Sequence, residues 1–265
     1  MSSVSKALEL LSIFSENRPA IGLSDICKLA GRDKATTHRH LQALEMAGMV
    51  EQDNDTKRYR LGPKILQLAQ VRETTVPRKT GAQPATDLLS DRTGETAHVT
   101  ILSGDTLFGL CHAHSTKHSI RAIIDIQTFP LHATASGLCA LAFGPKDLRQ
   151  HAALSLKSFT PDTVTTDQAL DALITSTRKL GFAAAQQSFE RDVHSFAAPL
   201  FDHTNRFAGT VAVACVASRC TPDLEGIIKT QLVIASQSIS QNWGGEIPDH
   251  VTAIWANKPN LEPVL

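Results

Sequence analysis

At 265 residues, with 26 Lys and Arg against 26 Asp and Glu, the chain exceeds one typical domain and points to two unequal ones. The overall neutrality hides an asymmetry: residues 1–80 hold 13 basic against 9 acidic side chains, and the remaining 185 residues hold 13 against 17, the direction that a DNA-binding N-terminal part requires. The five cysteines (Cys27, Cys111, Cys139, Cys215 and Cys220) are odd in number and lie in apolar stretches without C-x-x-C pairs, which suggests neither a disulfide framework nor a zinc ribbon and fits a reducing cytoplasm. No uninterrupted apolar leader or span-length apolar run occurs, so neither a signal peptide nor a membrane segment is expected, and the localisation is predicted as cytoplasmic.

Residues 3–15 (SVSKALELLSIFS) place Val4, Ala7, Leu8, Leu11 and Phe14 at helical spacing and predict an amphipathic helix. After the breakers Pro19 and Gly22, LSDICKLAG offers Ser24 as a cap, Ile26, Leu29 and Ala30 as one face and Gly31 as a stop, a second short helix. RDKATTHRHLQALEMAG then presents Asp33 as N-cap, Leu41 and Leu44 inward and Gly48 as terminator, a third helix. Two helices joined by so short a glycine-containing turn read as a helix-turn-helix. Its candidate DNA contacts are the polar positions of the second helix, Lys34, Thr36, Thr37, His38, Arg39 and His40, since hydroxyls near a helix start suit phosphate and Arg or Lys also pair with guanine edges.

MVEQDNDTKRYRLG follows, with apolar ends around an Asn-Asp turn and Lys57, Arg58 and Arg60 in the return strand. This is the pattern of a basic wing, and Lys57 and Arg58 are candidate backbone contacts. PKILQLAQVRETTVP opens with Pro63 and sets Ile65, Leu68, Ala69 and Arg72 along one side, a connecting helix that ends near Pro77. This helix and the first are the expected dimer surfaces, because a single helix-turn-helix contacts few bases and usable specificity calls for two on a pseudo-palindrome.

SVSKALELL, the helix pair with K-x-T-x-H-R, and RYRLGPKIL resemble the IclR family of bacterial transcription regulators, and the likeness continues in order through GETAH (94–98), PLHATASG (130–137), TPDT (160–163) and SFAAPL (195–200). Ala35, Thr37 and His40 stand where that family commonly has Ser, a β-branched apolar residue and Leu, so the operator sequence does not transfer. The resemblance implies an α+β chain: a winged helix-turn-helix DNA-binding domain over 1–62, a linker helix over 63–80, a GAF-like effector-binding domain with a curved antiparallel sheet over 81–243 and a C-terminal extension over 244–265. It implies a ligand-responsive repressor or activator that binds a double-stranded, pseudo-palindromic operator as a homodimer and pairs into a tetramer, a dimer of dimers, through its effector domains. No cofactor, membrane partner or enzymatic activity is expected.

In the larger part, ETAHVTILSG, TLFGLCHAHS and SIRAIIDI read as three strands, followed by helices at 134–143, 145–154 and 167–180, strands at 182–188, 193–201 and 207–217, and a helix at 223–242. The resemblance places the effector, a small organic metabolite such as an organic acid, against Ala135, Ser136, Gln187, Ser195, Ala212 and Ala214. Backbone N–H groups at the Ala135–Gly137 helix start suit a carboxylate. Alanines at 212 and 214, with Leu138 in place of the family's usual lysine, point to a less polar effector or one with a single anionic end. For Ala212 and Ala214, ordinary core packing is an equal reading.

Two other chemistries compete. His112 and His114 share a strand face beside Cys111 and near His118, a set that would make a metal-responsive regulator, although no carboxylate or second cysteine motif completes it. A nucleophile at Cys139, Cys215 or Ser195 would need a partner base, and no G-x-S-x-G, P-loop, H-E-x-x-H or dinucleotide glycine motif accompanies them. The tail from Gly244, with its isolated Trp255, reads equally as a mobile extension or as a segment packed on a partner subunit.

Overall fold

The structure, a computed structural model, describes residues 2–15, 17–75, 77–124 and 127–256. The chain divides into two compact units, Met1–Pro77 and Arg78–Leu265. In the first unit, α1 (Ser3–Glu9) runs on into a 3-10 turn (Leu10–Ile13), and α2 (Leu23–Ala30) and α3 (Lys34–Met46) follow. β1 (Ile21–Gly22), β2 (Val50–Gln52) and β3 (Arg58–Leu61) form a small antiparallel sheet in the order β1-β3-β2. Leu10, Phe14, Ile26, Leu41, Leu44 and Tyr59 meet in one core under these elements.

Capping defines the turn between α2 and α3. The Arg32 and Gly31 N–H groups return to the Cys27 and Lys28 carbonyls, and Asp33 Oδ1 accepts from the Thr36 N–H at 2.8 Å, so that α2 stops and α3 starts within three residues. The hydrogen bonds from Thr36 hold the Asp33 carboxyl below the usual carboxylate range. At the wing tip, Asp53 Oδ1 accepts from the Asp55 and Thr56 N–H groups and from the Thr56 hydroxyl, a side-chain-supported turn between β2 and β3. Beyond the wing, α4 (Pro63–Thr75) has no buried residue within its unit.

In the second unit a five-stranded antiparallel sheet has the order β5-β4-β8-β7-β6, from β4 (Thr96–Ser103), β5 (Thr106–Ala113), β6 (Ala183–Gln186), β7 (Val193–Phe201) and β8 (Phe207–Val216). Successive strand residues face opposite sides, and β8 displays the result: Val211, Val213 and Cys215 join the core under α5 (Arg78–Thr93) and α9 (Pro222–Asn242), while Ala212 joins the core under α6 (Ala135–Phe143) and α8 (Asp167–Leu180). α7 (Asp147–Ala153) joins α6 and α8 on that second side. The helix α5 has no counterpart in the sequence reading, because Gly81 and Pro84 interrupt its pattern; Pro84 nonetheless sits inside it.

The strand expected over 119–126 does not form in 119–124, and 125–126 lie outside the described residues. The segment runs as irregular chain, tied down where Thr96 Oγ1 donates to the Ala122 carbonyl at 2.6 Å. Beyond α9, α10 (Asp249–Ala256) packs on its own unit, answering the open question about the tail up to that point; residues 257–265 lie outside the described residues. Trp255 is buried, donates from Nε1 to the Gly181 carbonyl at 3.0 Å and stacks on Phe182 with ring centroids 5.7 Å apart. Gly181 has φ +73°, and a Cβ there would meet Trp255 Nε1 at 2.6 Å, so glycine is required both for the turn and for the indole.

Candidate DNA interface and effector pocket

On α3 the exposed positions are Lys34, Ala35, His38, Arg39, Gln42, Ala43, Glu45 and Met46, with Thr36 half-buried. Ala35, His38, Arg39 and Gln42 fall at the i, i+3, i+4, i+7 spacing of a single helix face. The expectation that Lys34, Thr36, Thr37, His38, Arg39 and His40 all point outward is corrected at two positions. Thr37 is fully buried and His40 is 5% exposed, with His40 Nε2 3.3 Å from Ser3 Oγ on α1. A run of consecutive outward residues is incompatible with 100° per residue, and Thr37, His40, Leu41 and Leu44 make the inward stripe. On that face Gln42 is the residue that the sequence reading missed; extending the spacing one turn beyond Arg39 finds it.

On the wing Lys57 and Arg58 are exposed, whereas Arg60 pairs with Glu51 at 2.6 Å. Arg32, in the helix-turn-helix turn, is engaged by the Lys6 carbonyl and by Glu9. Lys34 and Arg39 on α3 and Lys57 and Arg58 on the wing are exposed, where phosphate contact supplies sequence-independent affinity.

In the larger unit a partly open pocket lies at the start of α6 against the sheet. Thr134 caps α6 by accepting from the Gly137 N–H at 3.0 Å. A Cβ on Gly137 would sit 2.4 Å from the Pro130 carbonyl oxygen, so the T-A-S-G turn needs glycine to bring the helix start against the backbone of 130–131. Ala135, Ser136, Ser195 and Ala214 line the pocket as expected from the resemblance. Gln187 and Ala212 do not. Gln187 adopts φ +53°, and its Oε1 accepts from the Asp192 N–H at 3.3 Å; Ala212 is fully buried in the core beneath α6.

The pocket's polar centre is His98, which the sequence reading passed over although it ends the GETAH motif. His98 is 4% exposed, its Nε2 lies 3.2 Å from Ser136 Oγ, and its ring stacks on Phe129 at 5.0 Å. Burial, with the nearby His112, pushes its pKa down to about 3, so the imidazole is neutral. Glu95, at the other end of GETAH, is 1% exposed and accepts a bidentate pair from Arg219 at 2.9 and 2.8 Å.

Residues 3–54 match the IclR helix-turn-helix domain, and residues 74–241 match the bacterial transcriptional regulator IclR C-terminal domain. The chain belongs to the IclR family. An IclR transcriptional regulator from Silicibacter sp. TM1040 is 38% identical and superposes with a TM-score of 0.85 over 94% of this chain and 99% of that one. The HTH-type transcriptional regulator XynR of Escherichia coli K12 is 28% identical over 244 residues, 91% of this chain and 97% of XynR. An IclR homologue from Microbacterium hydrocarbonoxydans, solved with 4-hydroxybenzoate, shares the fold at 23% identity and a TM-score of 0.75, covering 91% of this chain and 99% of that one. The protein is thus an IclR-type, DNA-binding transcription regulator.

The rival metal set does not come together in this IclR chain. Cys111 is buried with its Sγ 3.7 Å from Thr86 Oγ1 on α5, whereas its strand neighbour His112 takes the opposite face, in register with His98. The His112 and His114 rings lie 4.7 Å apart, and among the described residues no group of three or more His, Cys, Asp or Glu could hold a metal ion. Burial raises the Cys139 and Cys215 thiols above their ordinary range, which leaves little thiolate for nucleophilic chemistry.

Proposed function

We propose that this regulator binds a pseudo-palindromic operator as a homodimer and that a small organic acid in the pocket at the start of α6 sets its affinity for DNA. The observation that carries the reading is the pairing, in one chain, of an outward polar stripe on α3 with a pocket floored by a sensor sheet. The ligand class rests on two supports: the helix start at Ala135 and Ser136, whose N–H groups suit a carboxylate, and the 4-hydroxybenzoate held by the Microbacterium relative. The expected DNA contacts are Lys34, Thr36, His38, Arg39, Lys57 and Arg58, and the expected effector contacts are Ala135, Ser136, Ser195 and Ala214.

Val4 and Leu8 on α1 and Leu66, Leu68 and Val71 on α4 are exposed apolar residues, the composition that a dimer contact uses. Leu88 on α5 with Ile227 and Ile234 on α9 suits the pairing of dimers into a tetramer. A cytoplasmic location fits the free cysteines; no helix of the described residues is long and apolar enough to cross a membrane.

The test is a gel-shift titration on the DNA flanking the protein's own gene, in the presence and absence of metabolites from the neighbouring operon. Arg39→Ala is expected to cost about 1–3 kcal/mol in operator affinity over random DNA. Undiminished discrimination by that variant would remove α3 from the reading.

A further inference from the structure

Most polar groups in the pocket wall are consumed by the fold. Thr134 Oγ1 donates to the Pro130 carbonyl at 2.9 Å and caps Gly137, and Ser188 Oγ donates to the Ala133 carbonyl at 2.9 Å. Ser136 Oγ and His98 Nε2 satisfy each other. His98 Nδ1 is the exception: it is buried and has no hydrogen-bond partner. A buried polar atom in that state carries a desolvation penalty, which a bound ligand atom would relieve.

The surroundings restrict what that ligand is. Ile123, Ile124, Phe129, Phe189 and Val193 line the pocket, and among the described residues that line it the only charged side chain is Glu190 and none is Lys or Arg. On the sheet floor Ala185, Ser195 and Ala214 form one cross-strand row, and His98 stands on β4, on the far side of β8 from Ser195. Two strand spacings, about 10 Å, separate the imidazole's strand from that of the serine hydroxyl, with small alanines between them. A second carboxylate laid across that floor would be desolvated without a cation, which is costly.

On the reading that this pocket holds the effector, we propose that His98 is its oxygen-binding residue: the Ser136 hydroxyl donates to Nε2, and the Nδ1–H so fixed donates to the single carboxylate of an effector whose body is apolar. The far end of the effector then lies toward Ser195 and is neutral. Because burial keeps the ring uncharged, His98 contributes a directed hydrogen bond rather than a positive charge that a dianion would need.

The experiment is isothermal titration of full-length protein with 4-hydroxybenzoate and with terephthalate, which have similar length but a neutral or an ionised far end. Wild type is expected to bind 4-hydroxybenzoate at least about tenfold tighter than terephthalate. His98→Gln, which carries its amide near the Nε2 position, should weaken 4-hydroxybenzoate by about three- to tenfold. His98→Asn, with its amide near the Nδ1 position, should stay within about threefold of wild type. Tighter binding of terephthalate, no binding of 4-hydroxybenzoate, or equal affinity in His98→Gln and wild type would each overturn the proposal. Ser195→Leu, at a half-buried position, fills the pocket: if it abolishes binding of a probe that ignores His98, the sensing site stands and the proposal alone falls. If it leaves a bound probe unaffected, the pocket reading itself falls.

Discussion

The two units use the same materials in opposite ways. In the N-terminal unit the proposed DNA contacts lie at the surface and close together in sequence, on α3 and on the adjoining wing. In the C-terminal unit the residues that line the pocket are interior and come from far apart in the chain: β4 supplies His98, the start of α6 supplies Ser136, and β7 and β8 supply Ser195 and Ala214. An outward polar stripe has to satisfy only the solvent and its target. An inward polar group must also satisfy the fold, so the larger unit has little freedom to change one without the other.

The sharpest way to break that contrast is at Glu95, whose carboxylate is buried and held by Arg219. Arg219→Met leaves the charge without its partner and should cost about 3–5 kcal/mol. Hydrogen exchange should register the loss in the amides of the Arg78–Leu265 unit, with those of the α1–α3 core unchanged. Equal loss in both units would mean that they do not behave as separate cores. Next comes Trp255→Ala, which removes an indole stacked on Phe182 and bonded to Gly181. A loss of about 3 kcal/mol in chemical denaturation is expected, and a negligible loss would demote α10 to an accessory.

His98 permits a finer test because its titration is tied to its burial. Its pKa is about 3 in the folded protein against an ordinary 6.5, so below pH 6.5 the unfolded chain takes up a proton that the folded one does not. Stability from this group is therefore complete above pH 6.5 and lost as pH falls from 6.5 toward 3, at about 1.4 kcal/mol per pH unit. At pH 5 the loss is about 2 kcal/mol. Relative to wild type, His98→Asn should have a flatter stability profile across that window; parallel profiles would mean that His98 is protonated or solvated in the folded state.

What the sequence disclosed follows the same division. The helix-turn-helix, its capping by Asp33 and the wing were legible because they depend on spacing within a few residues. Thr37 turns inward with His40, whose departure from the family's Leu already admits burial, because helical rotation keeps consecutive polar residues from sharing one face. In the sensor unit the period-2 strands β4, β5, β7 and β8 were legible. The 119–124 segment looked like a strand because its apolar residues were assigned to a sheet; Ala122, Ile123 and Ile124 instead line the pocket. His98 was invisible as a site residue because its meaning depends on Ser136 and Phe129, 38 and 31 positions away in sequence, and no local pattern encodes such a meeting.

The smallest expected effect lies at the wing tip and separates two kinds of surface contact. Lys57 is exposed at φ +56°, at the end of the turn that Asp53 organises, and reads as a phosphate contact rather than a base contact. If so, Lys57→Ala should weaken binding to operator and random DNA alike and reduce the slope of log affinity against log salt by about one. Arg39→Ala should act mainly on the operator. A Lys57 variant that loses discrimination while keeping its salt slope would move base reading from α3 to the wing, and the outward stripe Ala35, His38, Arg39 and Gln42 would then need another role.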